Sequence, residues 1–125
     1  MEPVYLYTQA KFQLEEYMDM SEVTLCGASY YEQKYYFNPD FFKLPTVIQE
    51  ELQIMVVSFV EKVGGVLTMV FDEEGNLQFQ VRSLDGDGRF DEIGSALEIK
   101  KMQVEKREFL ESLEQFYQVF ILQNQ

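Results

Sequence analysis

Histidine is absent from the 125-residue chain, and its absence excludes several kinds of active site at once. A Ser-His-Asp triad, a Cys-His pair and the HExxH zinc motif each require an imidazole. The single cysteine, Cys26, cannot close an internal disulfide or supply a thiolate metal cage. No basic residue lies within five positions of Cys26 to activate its thiol, so we expect a buried, unreactive side chain.

Carboxylates are plentiful, and paired carboxylates can serve acid-base chemistry. The acidic clusters of this chain fall at predicted turns and helix surfaces, where carboxylates are solvated: Glu50-Glu51, Asp72-Glu73-Glu74 and Asp91-Glu92. Nothing in their spacing places two of them across a pocket. We therefore predict no catalytic residues and no cofactor, and interpret the protein as non-enzymatic.

Long apolar runs and basic residues are also scarce. No stretch approaches 18 consecutive apolar residues, and residues 1–7 lack the basic and apolar regions of a signal peptide. The chain has 10 Lys+Arg against 22 Asp+Glu, a net charge of −12, which repels phosphate backbones and anionic lipids. Together with the single cysteine, these features predict a cytoplasmic protein that binds neither nucleic acid nor membranes.

Apolar mass is abundant: 46% of the residues are hydrophobic, with 8 Tyr and 11 Phe. This is enough for a packed core and too much for a disordered acidic tail. We predict one domain over residues 21–125, preceded by a leader of residues 1–20. Four apolar residues of the leader fall at helical spacing and predict a helix: Leu6, Ala10, Leu14 and Tyr17.

The polarity pattern of the domain predicts two hairpins, each followed by a helix. The predicted strands are 22–28, 33–37, 66–71 and 77–82. The predicted helices are 45–63 and 91–122. The order (α)ββαββα indicates an α+β two-layer sandwich, with a mostly antiparallel four-stranded sheet covered by two main helices.

The long second helix has two apolar directions. Three of its early apolar residues lie roughly 140–180° around the helix from the later apolar stripe: Ile93, Leu97 and Val104. The later stripe runs through Ile99, Met102, Phe109, Leu113, Phe116 and Phe120. This pattern predicts either a kink or break near residue 100, or contact with something on a second side.

The segment before this helix carries three closely spaced carboxylates, Asp85, Asp87 and Asp91. Aligned on Gly88, they occupy positions three, five and nine of a calcium-binding loop. The twelfth position, which needs a bidentate Glu, is Gly94, and a strand precedes the loop instead of a helix. The favoured alternative is a solvated connection in which Asp91 or nearby Ser95 caps the helix.

An aromatic block between residues 30 and 42 allows three interpretations. Its members are Tyr30, Tyr31, Tyr35, Tyr36, Phe37, Phe41 and Phe42. Core packing is the favoured interpretation, since a stacking platform for a base or sugar would need more lysine and arginine than this segment has. The third is a protein-binding face, for which Tyr31 and Tyr36 are the candidates.

Leftover apolar residues give the strongest functional hypothesis. Ile54, Val57 and Val104 fall on otherwise charged helix faces, and a patch of such residues marks an interface. We therefore predict a module that binds protein, either another chain or itself as a homodimer. The alternative is a regulatory domain that binds a small ligand or calcium.

Basic residues concentrate in one part of the last helix: Lys100, Lys101, Lys106 and Arg107. They could pair within the helix, since Lys101 precedes Glu105, and Arg107 precedes Glu111, by four residues. The other interpretation is a basic face for an acidic partner.

Four motifs carry a family resemblance: LCGASYYEQKYYFN at 25–38, VGG at 63–65, FDEEGNL at 71–77 and DEIGSAL at 91–97. They resemble a small uncharacterised family of about this length from anaerobic Firmicutes. The resemblance covers residues 22–121 and leaves the leader outside. It implies a bacterial cytoplasmic setting, and because the family has no assigned activity it implies no functional residues.

Overall fold

A computed structural model describes residues 22–122 of the chain. The four strands are β1 (Val23–Ser29), β2 (Lys34–Phe37), β3 (Val66–Phe71) and β4 (Leu77–Arg82). The three α-helices are α1 (Thr46–Val63), α2 (Glu92–Glu105) and α3 (Arg107–Tyr117). The predicted leader helix lies outside the described residues. Within those residues no helix is both long enough and apolar enough to cross a bilayer.

The strands form one antiparallel sheet in the order β2-β1-β3-β4. Met69 of β3 lies opposite Cys26 of β1 and Phe79 of β4, and β3 is buried along its whole length. The largely apolar strand β3, with Thr68 as its one polar residue, therefore occupies an inner position, where both its faces are protected. This sheet and its helices confirm the predicted α+β sandwich.

The core lies between one face of the sheet and the helices. Helix α1 buries one side along its length: Leu52, Met55, Val56, Phe59, Val60 and Val63. Helix α3 adds Leu110, Leu113 and Tyr117. On β4 every second side chain packs against this core: Leu77, Phe79 and Val81.

A stack of three aromatic rings joins distant parts of the chain. The Tyr117 ring of α3 lies on the Phe71 ring of β3 with centroids 4.1 Å apart, and the Phe41 ring lies 5.7 Å from Phe71. Phe41 belongs to the 3-10 turn Pro39–Phe41 after β2. The core interpretation of the aromatic block is therefore confirmed for Phe41.

The break in the last helical segment lies at Lys106, so the position predicted near residue 100 was wrong. Lys106 has φ −110° and ψ 22°, and its side chain forms an ion pair with Glu51 of α1. The buried residues on both sides of the break belong to the later apolar stripe: Met102 packs in α2, and Leu113 in α3. Helix boundaries follow such tertiary contacts, which the apolar pattern alone does not specify.

Phe120, the last member of the later apolar stripe, does not join the core. Helix α3 ends at Tyr117 and continues as the π-helical turn Gln118–Leu122, in which Phe120 is exposed. A π-helical turn holds more residues than an α-helical turn, so it rotates the following side chains away from the earlier stripe.

Two glycines offer a matched test of the close packing after α1. Gly65 and Gly86 both have positive φ, +74° and +78°. A Cβ at Gly86 would meet nothing within 4 Å, whereas a Cβ at Gly65 would lie 2.7 Å from the Arg82 carbonyl oxygen and 2.9 Å from the Phe90 ring. Gly65 therefore combines backbone strain with a steric clash, and Gly86 has the strain alone.

We expect Gly86→Ala to lower the free energy of unfolding by about 1 kcal/mol, the strain of a left-handed residue. Gly65→Ala should lower it by about 3 kcal/mol, because overpacking adds to that strain. Urea denaturation of the two variants measures both losses. Equal losses would contradict the packing of the Phe90 ring against Gly65.

Candidate interaction surface

Two of the three carboxylates between β4 and α2 serve the local structure. Asp91 Oδ1 accepts a hydrogen bond from the Gly94 N–H at 2.7 Å and caps α2, which confirms the capping alternative. Asp87 Oδ1 accepts from the Arg89 N–H at 2.9 Å, and Asp85 is exposed. Across residues 22–122 no three acidic or cysteine side chains are grouped so as to hold a metal ion.

Tyr31, a predicted interaction residue, is engaged within the chain. Its hydroxyl donates to Asp87 Oδ2 and accepts from the Leu84 N–H at 2.9 Å. Next to it, the Arg89 guanidinium lies 4.6 Å from the Tyr30 ring centroid, a cation-π contact. These contacts connect the β1–β2 turn to the β4–α2 loop, so Tyr31 has a structural role there.

Tyr36 and Val57, two further predicted interaction residues, are both half-buried. On β2, Tyr35 and Phe37 pack against the core. The half-buried Tyr36 lies between them, so its side chain points to the opposite face of the sheet. Val57 packs against the core. Together with Ala28 and Tyr35 it also lines a depression between α1 and the β1–β2 hairpin. The apolar side of α1 is wide enough to include Val57, so it does not lie on the outer helical surface.

Helix α2 carries an exposed apolar stripe. Ile93, Leu97 and Val104 are 61% to 77% exposed. Their spacing of four and seven residues places them within about 40° of one another on the helix. Lys100 falls on the same line and Lys101 beside it, and both are exposed.

The outer side of α1 also carries apolar residues. Ile54 and Val47 are exposed and lie seven residues apart, hence on one line of the helix. The exposed acidic residues Glu50 and Glu61 stand beside them. Sequence reasoning identified Ile54 and Val104 as interaction candidates and placed Ile93 and Leu97 on the second side of the last helix without naming them as interaction residues, but it missed Val47. Its position opposite the buried side of α1 is the signal that could have found it.

Two ion pairs fix how α1 and α2 lie against each other. The Lys62 Nζ is 2.9 Å from Glu98 Oε2, and Lys106 Nζ is 2.8 Å from Glu51 Oε1. The helices are therefore antiparallel. Ile54 follows Glu51 by three residues, and Val104 precedes Lys106 by two. The two apolar residues therefore lie at nearly the same height, meaning the same position along the helix axes.

The outer surface of this helix pair is the candidate interaction surface. We call its five exposed apolar residues the outer helical patch: Val47, Ile54, Ile93, Leu97 and Val104. A depression of about 550 Å³ adjoins it at the helix break and is lined by Glu51, Val104, Lys106 and Phe109, among others.

Tyr31 and Tyr35 allow a matched test of the hairpin contacts. The Tyr35 hydroxyl is buried beside the Cys26 thiol, a weak hydrogen-bonding group, and has no nitrogen or oxygen partner among the residues that the structure describes. Tyr31→Phe should therefore lower the free energy of unfolding by about 1 kcal/mol, while Tyr35→Phe should leave it unchanged or raise it slightly. Urea denaturation provides the comparison. A larger loss from Tyr35→Phe would contradict this assignment.

Asp87 gives a prediction about acid stability. The hydrogen bond from the Tyr31 hydroxyl, helped by the Arg89 N–H, holds the pKa of Asp87 below its usual value. A carboxyl whose folded pKa is lowered stabilises the fold above its unfolded pKa of about 3.9 and loses that contribution as the pH falls through the folded pKa.

Asp87→Asn should therefore reduce the melting temperature at pH 7, and the difference from the wild type should shrink as the pH falls below about 4. Thermal melts across this pH range provide the measurement. A difference that stays constant from pH 7 into the acid range would show that ionisation of Asp87 contributes nothing.

A family model matches residues 22–125, and its description is a family of unknown function (DUF6145). Among curated proteins and solved structures no match is found. The matched region begins where the motif resemblance begins and includes every element described above. The chain therefore belongs to this family of unknown function, as its motifs predicted.

Proposed function

We propose that the protein is a protein-binding module and that the outer helical patch is its binding surface. The observation that carries this proposal is the stripe of Ile93, Leu97 and Val104 on α2. A single exposed aliphatic residue is ordinary on a protein surface. Three on one line of one helix form an apolar stripe that only Lys100 interrupts, and such apolar surfaces mark binding sites.

The balance of burial within α2 supports the proposal. The buried side of this helix consists of Ser95 and Met102, with Ile99 half-buried. More aliphatic surface is thus exposed on the outer side than is buried on the inner side. Helices in proteins gain most of their stability from burying an apolar side, so the outer side of α2 is the one that a partner would complete.

The spacing of the stripe favours a helical partner. Ile93, Leu97, Lys100 and Val104 follow the alternating four-three-four spacing of a coiled-coil seam. A helix laid along such a seam covers each apolar residue in turn. A charged residue such as Lys100 at one seam position lowers affinity and fixes the alignment of the partner.

A photo-crosslinking amino acid at position 97 of the full chain tests this proposal in the cells that encode the protein. Position 42 is the matched control, because Phe42 is similarly exposed but lies outside the patch. We expect specific protein adducts from position 97 and none from position 42.

Val104→Glu, added to the position-97 probe, should reduce these adducts about tenfold or more. Covering one aliphatic side chain contributes about 1.5 to 3 kcal/mol, which is a factor of ten or more in affinity. Adducts of equal yield from positions 97 and 42, or no adducts from either, would contradict the proposal.

A further inference from the structure

We propose that the partner bound by the outer helical patch is a second copy of this chain. The two copies pack their helical layers face to face about a two-fold axis parallel to α1 and α2. This inference rests on the proposed function and names the partner of the same surface.

Charge complementarity within the patch points to self-association. The outward side of α2 carries aliphatic residues and lysines, Lys100 and Lys101, although the chain as a whole has a net charge of −12. The outward side of α1 carries aliphatic and acidic residues, with Glu50 and Glu61 beside Ile54. The outer side of α1 therefore complements the outer side of α2 in both polarity and charge.

A two-fold axis parallel to the helices covers the outer sides of both α1 and α2 in each copy. Rotation about such an axis places α1 of each copy on α2 of the other and keeps every residue at its own height. Because α1 and α2 are antiparallel within one copy, each crossed pair of helices is antiparallel as well. The interface is then self-complementary and closed, as in most homodimers.

The heights fixed by the two ion pairs bring specific residues together. Ile54 and Val104 stand at nearly the same height, so Ile54 meets Val104 of the partner subunit, beside the depression of about 550 Å³ at the helix break. Glu61 precedes Lys62, which pairs with Glu98, and Lys101 follows Glu98 by three residues. Glu61 therefore lies within reach of Lys101 of the partner subunit, and the symmetry repeats each contact.

The test is the solution mass of the full chain by light scattering at 0.15 M salt. At this ionic strength charges more than about 8 Å apart are largely screened, so the repulsion between two acidic copies is weak. We expect a mass of twice 14.8 kDa. Val104→Glu should yield a monomer with unchanged helix content, while the control Phe42→Glu should remain a dimer.

A charge exchange tests the proposed orientation with residues that are exposed and therefore not needed for folding. Glu61→Lys and Lys101→Glu should each raise the dimer dissociation constant about threefold to tenfold, and the double exchange should restore it. A dimer that is insensitive to Val104→Glu and to both single exchanges uses another surface and would overturn the proposal.

A monomeric wild type would also overturn the proposed self-association. Crosslinking at position 97 then tests whether the outer helical patch binds a different protein. Adducts with other proteins would leave the proposed function intact with a different partner. No adducts at all would refute the proposed function together with this inference.

Discussion

The placement of α2 on α1 determines which surface the molecule offers to its surroundings. Helices α1 and α3 supply most of the core on the covered face of the sheet, whereas α2 packs on the other helices and buries little beyond Ser95 and Met102. Two ion pairs, Lys62–Glu98 and Lys106–Glu51, hold its alignment. The aliphatic side chains that α2 does not bury inside the fold consequently point outward.

The break at Lys106 makes this arrangement possible. One continuous helix would direct the whole apolar stripe to a single face, and a change of direction lets α3 reach the sheet while α2 stays beside α1. Tyr117 stacks on Phe71, and the Glu114 carboxylate accepts a hydrogen bond from the Leu77 N–H at 2.8 Å. These contacts hold α3 against β3 and β4, whereas α2 lies beside α1 with its apolar stripe exposed.

Most of the fold could be predicted from the sequence because its signals are local. The alternation of β4 and the apolar run of β3, interrupted only by Thr68, indicated the observed strand bounds, and Pro45 and Gly64 mark the two ends of α1. The site was harder, because its geometry depends on contacts between distant residues. The bond from Tyr31 to Asp87 spans 56 positions, and the pairing of Lys106 with Glu51 spans 55. Neither leaves a periodic trace in the sequence, so the structural contacts of Tyr31 were not predicted and the helix break was misplaced.

The aliphatic stripe on α2 is the surface that a second copy of the chain would cover in the proposed dimer. Hydroxyl-radical footprinting of the full chain over a range of concentrations measures this at Ile93, Leu97 and Val104, with the exposed Phe42 as internal reference. We expect the three α2 residues to be modified more slowly, relative to Phe42, at high concentration than after dilution. Rates that follow their static exposure at every concentration would contradict the proposed dimer.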